Sequence, residues 1–307
     1  MSRIVVTGGS GRLGRTLAAG LAQRGHEVVS FDRAPADELG AVNIEQVALD
    51  LTDAAATRQA LTDARADAVI HLAAIAVPFS APEDVILRTN AALAMSVLGG
   101  AVRAGIPKIV AASSPTVLGY GAPKGWTPDR LPLDEDSPTR PWNAYALSKL
   151  LIEQSIAMLQ RQTGDAVRFA AFRPCYVIAP EEWAGAPTQQ GHTVRERLDD
   201  PALSAPALFN YVDARDVATF ADTLLAALDD IPNGEVFFVG ADDALAREPL
   251  SGLLPRFHPG TAAAAEALTG TSSAFSNAKA QRLLGWTPRH DWRTELARAD
   301  DRTDAHA

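Results

Sequence analysis

The chain of 307 residues contains one cysteine, Cys175. An intrachain disulfide is thereby excluded, and a thiolate metal site is not expected. There are 6 histidines, none in H-x-x-x-H spacing, so no metal is predicted. Basic residues are in deficit, with 28 Lys and Arg against 37 Asp and Glu and a net charge of −9. That balance argues against nucleic acid or an anionic membrane as the main partner. It leaves the substrate open, because a local arginine cluster can sit inside an acidic whole. No apolar run is expected to reach membrane-spanning length, and the first strand begins by Arg3, leaving no room for a signal peptide. A cytoplasmic location is the expectation. Hydrophobic content of 47% and charged content of 21% fit an ordinary globular protein, long enough for one large domain or two modest ones.

What is present is concentrated at the start, in VVTGGSGRLGRTL. Ile4, Val5 and Val6 predict a buried parallel strand. Gly8, Gly11 and Gly14 follow as G-x-x-G-x-x-G, and Leu13, Leu17 and Leu21 then recur with helical period. Strand, glycine turn and helix together present backbone N–H groups and a helix N-terminus to a pyrophosphate. Asp32 ends the predicted second strand, where a carboxylate can accept hydrogen bonds from the ribose hydroxyls of an adenosine. It favours NAD, since a 2′-phosphate would meet a like charge; Arg12 and Arg33 leave NADP open.

Strands are predicted at 27–32, 47–51, 67–74, 108–114, 166–174 and 234–240, with helices at 52–64, 82–104, 142–162 and from Val212 onward. Val and Ile runs without polar alternation suit a doubly wound parallel sheet covered on both faces. Segments 177–207 and 241–270 lack clean periodicity and are expected to build a smaller lobe, and the last residues from Asp300 look like a frayed tail. Asp50 and Leu51, at the end of the third strand, could meet the adenine edge or simply lead into the next helix.

Tyr145 and Lys149 stand four apart in YALSK, on one face of the 142–162 helix. Tyrosine is a poor base at neutrality, and a nearby ammonium favours its phenolate. Ser114 ends the fifth predicted strand, where α/β sheets place ligand-contacting groups. A hydroxyl there can hold the substrate oxygen whose proton Tyr145 takes.

With these motifs in view, the chain resembles an extended short-chain dehydrogenase/reductase of the NAD-dependent epimerase/dehydratase family. The likeness runs through TGGSGRLG, HLAA at 71–74, Asn90, ASSPTVLG at 112–119, YALSK, RPCYVIAP at 173–180, YVDARDVA at 211–218 and NAKAQRLLGW at 277–286. It implies an α/β, Rossmann-type doubly wound sheet over 1–175 and 208–240, with a substrate-binding lobe from 176–207 and 241–307. It implies Ser114, Tyr145 and Lys149 as the catalytic set, with Lys149 also on the nicotinamide ribose. Leu72, Ala73, Ala74, Asn90 and Pro174 are then expected on the cofactor, and a homodimer through the two long helices.

Departures from that family narrow the chemistry. Its dehydratases carry an Asp-Glu pair after the catalytic hydroxyl; here Pro115 and Thr116 follow Ser114, so dehydration is not expected. Its nucleotide-sugar members carry an Arg-Asp pair where this chain reads PALSAPALFNYVD. A smaller polyol, sugar or sugar acid is therefore the first expectation, with oxidation of a secondary alcohol as the reaction. Epimerisation of a nucleotide sugar with tightly held NAD is the alternative, and a non-catalytic dinucleotide sensor a third. Ser114, Pro115, Thr116, His192 and Arg195 are candidate substrate contacts, although His192, Arg195 and Arg197 equally suit a solvated helix face. Trp126 and Trp142 flank the long connection and either touch a sugar or pin the loop.

Overall fold

The computed structural model describes residues 1–40, 42 and 44–304, without the side chains of 302–304. In chain order the elements are β1 (Arg3–Thr7), α1 (Arg12–Gln23), β2 (Glu27–Asp32), α2 (Asp37–Gly40), β3 (Glu45–Ala48), α3 (Ala54–Ala64) and β4 (Ala68–His71). There follow α4 (Glu83–Arg103), β5 (Lys108–Ala112), α5 (Ala144–Thr163), β6 (Arg168–Pro174), β7 (Val177–Ile178), α6 (Pro180–Trp183) and α7 (Val194–Asp199). The last are β8 (Val212–Asp213), α8 (Ala214–Ala227), β9 (Glu235–Val239), α9 (Leu250–Phe257), α10 (Ala262–Ala265), α11 (Ala278–Leu284) and α12 (Trp292–Asp304). The chain divides into two compact units, the first made of Met1–Val117, Thr139–Arg173 and Ala218–Phe237, the second of Leu118–Pro138, Pro174–Val217 and Phe238–Ala307.

In the first unit, the strands form a sheet of order β3-β2-β1-β4-β5-β6-β9. The pairings β1–β2, β1–β4, β2–β3, β4–β5 and β5–β6 are parallel. Chain order reverses between β1 and β4, the switch point at which such sheets open a crevice beyond their carboxyl ends. The apolar runs explain why both faces are covered. On one face Val5, Val29, Val69, Ile109 and Phe169 pack with Leu61 of α3, Val97 of α4 and Ile152 of α5. On the other, Leu17 and Leu21 of α1 are buried, and Phe220 of α8 lies 5.7 Å from Phe172 and 5.8 Å from Phe237. Each such side chain contributes about 1.5–3 kcal/mol by burial.

The second unit has its own core of Ile178, Trp183, Val194, Leu198, Tyr211, Leu245, Trp292 and Leu296. A two-stranded parallel sheet joins Val177 to Val212 and Ile178 to Asp213. Trp183 Nε1 donates to the Asp213 carboxylate at 2.7 Å, and Trp292 Nε1 to the Ala244 carbonyl at 3.1 Å. Cys175 is buried, its sulfur 2.7 Å from where a Cβ on Gly240 would stand, and burial pushes its thiol pKa up.

Four expectations are corrected. β3 stops at Ala48, not Leu51, because Asp50 Oδ1 accepts hydrogen bonds from the Thr52 N–H and hydroxyl and turns the chain toward α3, which Asp53 caps. The helix expected from Val212 begins at Ala214: Val212 and Asp213 pair as β8, and Asp213 Oδ1 accepts from the Arg215 N–H at 2.7 Å. α12 runs past Asp300 to Asp304; residues 305–307 of the expected tail lie outside the described residues. α4 is long and apolar enough to cross a membrane, contrary to expectation, but half of its apolar stretch is buried and it packs against α3 and α5.

Candidate active site

The glycine turn lies directly after β1 at the switch point. Gly8 has φ +73, and a Cβ on it would come within 2.7 Å of the Ala73 nitrogen. A Cβ on Gly14 would stand 2.1 Å from the Gly8 carbonyl oxygen. The turn, the start of α1 and the loop after β4 therefore pack backbone against backbone. Gly11 occupies the N-cap of α1 and, having no side chain, leaves the first turn without a side-chain cap. Arg12 and Leu13 open that helix.

Asp32, at the end of β2, accepts from the Ser10 N–H through Oδ2 at 3.1 Å and from the Arg33 N–H through Oδ1 at 2.7 Å. Each oxygen keeps lone-pair capacity for a further donor. The Arg33 side chain is exposed. These features fit a dinucleotide: a cradle that any Cβ would fill, a bare helix start, and a strand-end carboxylate tied to the glycine turn. Asp50 lies with its carboxyl held below the usual range by the Thr52 N–H, while Leu51 is buried in the sheet's core.

Leu72, Ala73 and Ala74 form the loop leaving β4 and are half-buried. Asn90 of α4 holds that loop from behind. Its Oδ1 accepts from the Ile75 N–H at 2.7 Å, and its Nδ2 donates to the Ile75 carbonyl at 3.2 Å and to Ser148 Oγ on α5 at 3.0 Å. The amide is thus spent on protein groups. His71 is buried, meets Thr7 Oγ1 through Nδ1 at 2.7 Å, and is driven down to about 3 by desolvation and then by Lys149, so it is neutral.

Ser114, Tyr145 and Lys149 come together in the first unit. Ser114 follows β5, and its buried Oγ stands near enough to the Tyr145 hydroxyl to favour the phenolate. The same Oγ accepts from the Thr116 hydroxyl at 2.9 Å. Pro115 opens the short 3-10 turn that carries Thr116. Lys149, one turn after Tyr145, donates from Nζ to the Ala112 carbonyl at 3.0 Å and lies 5.8 Å from the Tyr145 ring centre. One expectation fails here. Burial raises the Tyr145 pKa, opposed only by the Ser114 hydroxyl. Burial also brings Lys149 down to about 8. In the free protein, desolvation outweighs any help from the ammonium, and the phenol is the resting form.

Behind the set lies a group that sequence reading missed. Glu153, one further turn along the same face of α5, is buried with Arg173, and its Oε1 accepts from Ser113 Oγ at 2.6 Å. The spacing Tyr145, Lys149, Glu153 was the available signal. Pro174 ends β6 beside Arg173. The candidate substrate residues of the second unit do not behave alike. Arg195 is exposed and pairs with Asp300, the backbone carbonyl of His192 accepts from Thr188, and Arg197 is fully buried rather than solvated. Trp126 donates from Nε1 to the Leu118 carbonyl at 3.1 Å, pinning the long connection, and Trp142 stacks on Phe79 at 5.6 Å.

A glycine turn at the switch point of a parallel sheet, with a strand-end acid and a buried Ser-Tyr-Lys cluster, defines a dinucleotide-binding α/β protein of the extended short-chain dehydrogenase/reductase type. The pattern of the NAD dependent epimerase/dehydratase family matches residues 4–240. The chain belongs to that family, whose cofactor is NAD.

The chain is similar to the UDP-glucose 4-epimerase of Azospirillum brasilense, 36% identical over 158 residues, which is 50% of this chain and 43% of that protein. The matched part thus spans less than half of that relative's length. It is 26% identical to the UDP-glucose 4-epimerase of Corynebacterium glutamicum over 95% of this chain and 93% of the other. Among solved structures, a short-chain dehydrogenase/reductase superfamily protein of Agrobacterium tumefaciens with bound NAD superposes with TM-score 0.69 at 26% identity, covering 99% and 98% of the two chains. A UDP-glucose 4-epimerase of Stenotrophomonas maltophila with bound NAD and formylated UDP-arabinopyranose gives TM-score 0.72 at 21% identity, covering 99% and 100%, a likeness of fold.

Proposed function

We propose that the chain is an NAD-dependent epimerase acting at a secondary alcohol carbon of a sugar carried on a nucleotide. The observation that supports the chemistry is the buried cluster of Ser114, Tyr145 and Lys149, with the Lys149 Nζ 5.8 Å from the Tyr145 ring centre. The near full-length likeness to a UDP-glucose 4-epimerase supports epimerisation over net oxidation. Gly8, Gly14, the start of α1 and Asp32 would hold NAD, Asp32 favouring it over NADP, and Lys149 would meet its ribose. When bound, NAD supplies reversible hydride acceptance at the alcohol carbon. Ser114 Oγ orients the substrate hydroxyl. Tyr145 Oη, once it has lost its own proton with NAD and substrate bound, takes that hydroxyl's proton and returns it once the carbon is inverted. Pro115 and Thr116 offer no acid–base pair for dehydration.

A second reading, net oxidation of a smaller sugar or sugar acid, is favoured by one observation. The stretch 201–213 presents buried Leu208 and Phe209, with neither an Arg-Asp pair nor a glycine run. The deciding experiment mixes purified protein with UDP-glucose or UDP-galactose and follows both sugar interconversion and free NADH. Interconversion without net NADH supports epimerisation. Stoichiometric NADH from a free sugar or uronate, with no interconversion, establishes the second reading instead.

The chain pairs as a cytoplasmic homodimer in this reading. Met95 of α4 and Leu147, Leu151 and Met158 of α5 stand exposed, apolar side chains that a partner copy would cover. A monomeric mass by light scattering at micromolar concentration would overturn it.

A further inference from the structure

Arg197, on α7 of the second unit, is 1% exposed. A buried guanidinium ordinarily finds a carboxylate, because an unpaired buried charge costs several kcal/mol. Arg197 finds none among the described residues. Its Nη1 donates to the side-chain Oε1 of exposed Gln190 at 2.7 Å, and its buried Nε has no hydrogen-bond partner. Desolvation pulls its pKa below the ordinary arginine value, opposed only by Tyr176.

Tyr176 carries the second half of the argument. Its ring lies under the guanidinium, 4.2 Å from Cζ to the ring centre, and its buried hydroxyl is also without a partner. The position of Tyr176 is fixed at both backbone groups. Its N–H donates to Asn210 Oδ1 at 2.7 Å, and its carbonyl accepts from the Val212 N–H at 2.9 Å. Arg197 is fixed as well, since its carbonyl accepts from Ser204 Oγ at 3.2 Å and its N–H donates to the Thr193 carbonyl at 3.1 Å. Two donors of one stacked pair therefore lack acceptors, and a cation lacks a counter-charge. What would satisfy all three needs is one oxyanion.

We propose that Arg197 and Tyr176 form an oxyanion-binding site in the second unit, for a carboxylate or a phosphate oxygen of a ligand. Arg197 Nε and Nη2 and the Tyr176 hydroxyl donate to it, while Gln190 stays on Nη1. The exposed and ion-paired Arg195 takes no part. This site stands apart from the hydride-transfer reading and needs neither NAD nor turnover to be observed.

The test is calorimetric titration of the free full-length protein with inorganic phosphate, with glucuronate and with UDP. At least one is expected to bind saturably. Arg197→Gln should weaken that binding about tenfold or more, the effect of losing charge-assisted hydrogen bonds. Arg197→Lys should recover part of it, and Tyr176→Phe, which keeps the ring, should weaken it severalfold. Binding of UDP but not glucuronate assigns the site to a nucleotide diphosphate, and the reverse to a sugar carboxylate. If none of the three binds, or if binding is unchanged in Arg197→Gln, the site does not exist as described. Should Arg197→Gln fail to fold, unchanged affinity in Tyr176→Phe overturns the proposal by itself. A protein that binds these anions normally yet shows no hydride chemistry would refute the epimerase reading and leave this one standing.

Discussion

Glu153 and Arg173 meet by two parallel hydrogen bonds, Nε to Oε1 at 2.8 Å and Nη2 to Oε2 at 2.9 Å, with both side chains buried. The fork-to-fork geometry joins α5 to the end of β6, and the Ser113 hydroxyl adds the end of β5. Ser113 precedes Ser114, and Glu153 stands one turn after Lys149. The pair thus fixes, from behind, the two elements that carry the candidate chemistry.

Glu153→Gln is expected to lower stability by about 3–5 kcal/mol, because it strips the counter-charge from a buried arginine. A urea unfolding curve for the variant, with a midpoint equal to wild type, would show that the pair carries no such load. Replacing both residues with apolar side chains of similar volume should recover much of the loss.

Tyr145→Phe removes one hydroxyl, so folding and NAD affinity should survive while turnover falls about 10²-fold or more. Lys149→Ala should reduce both turnover and NAD affinity, and Ser114→Ala turnover alone. Steady-state kinetics with NAD titrations on the three variants read out that pattern. Near-normal turnover in Tyr145→Phe would remove the tyrosine from the mechanism.

Lys149, brought by burial to about 8, keeps its ammonium only below that value. If the ammonium holds the cofactor ribose, NAD affinity should fall as pH rises through about 8, and Lys149→Ala should show a low, flat profile. Fluorescence titration of NAD across this range is the check. A flat wild-type profile would separate the lysine's charge from cofactor binding.

His290 is raised above the ordinary histidine value, chiefly by its hydrogen bond to buried Asp216 at 2.8 Å. A raised folded-state value means that protonation favours folding. Its contribution is complete below the unfolded value of about 6.5 and is lost as pH climbs through the higher folded one. The stability gap between wild type and His290→Asn should therefore be wider at about pH 6 than at about pH 9. Chemical unfolding at the two conditions decides it, an equal gap counting against the linkage.

The legible parts were those set by local chemistry. β2 could be bounded in sequence because a run of apolar residues ends on Asp32, and α5 could be placed because Tyr145 and Lys149 stand one turn apart within it. The Ser114–Tyr145 approach was readable because two spacing rules converge on one strand end. Long-range partners were not readable. The bond from Asn90 to Ser148 spans 58 positions, and the Ser113–Glu153 bond spans 40. Arg197 looked like any helix-face arginine, since its burial depends on Tyr176, brought beneath it through the pairing of β7 with β8. The Tyr145 pKa was misjudged for the same reason: spacing reports which charges are near, not how much water is missing.

The burial of Cys175 has a practical reach. With its sulfur against Gly240 and its thiol held protonated, the sole cysteine is closed to ordinary alkylating labels in the folded protein. A cysteine introduced at exposed Leu147 or Met95 would be the one reactive handle on an otherwise silent background. Spin labels or cross-linkers could then test whether copies of the chain pair, without first engineering anything away.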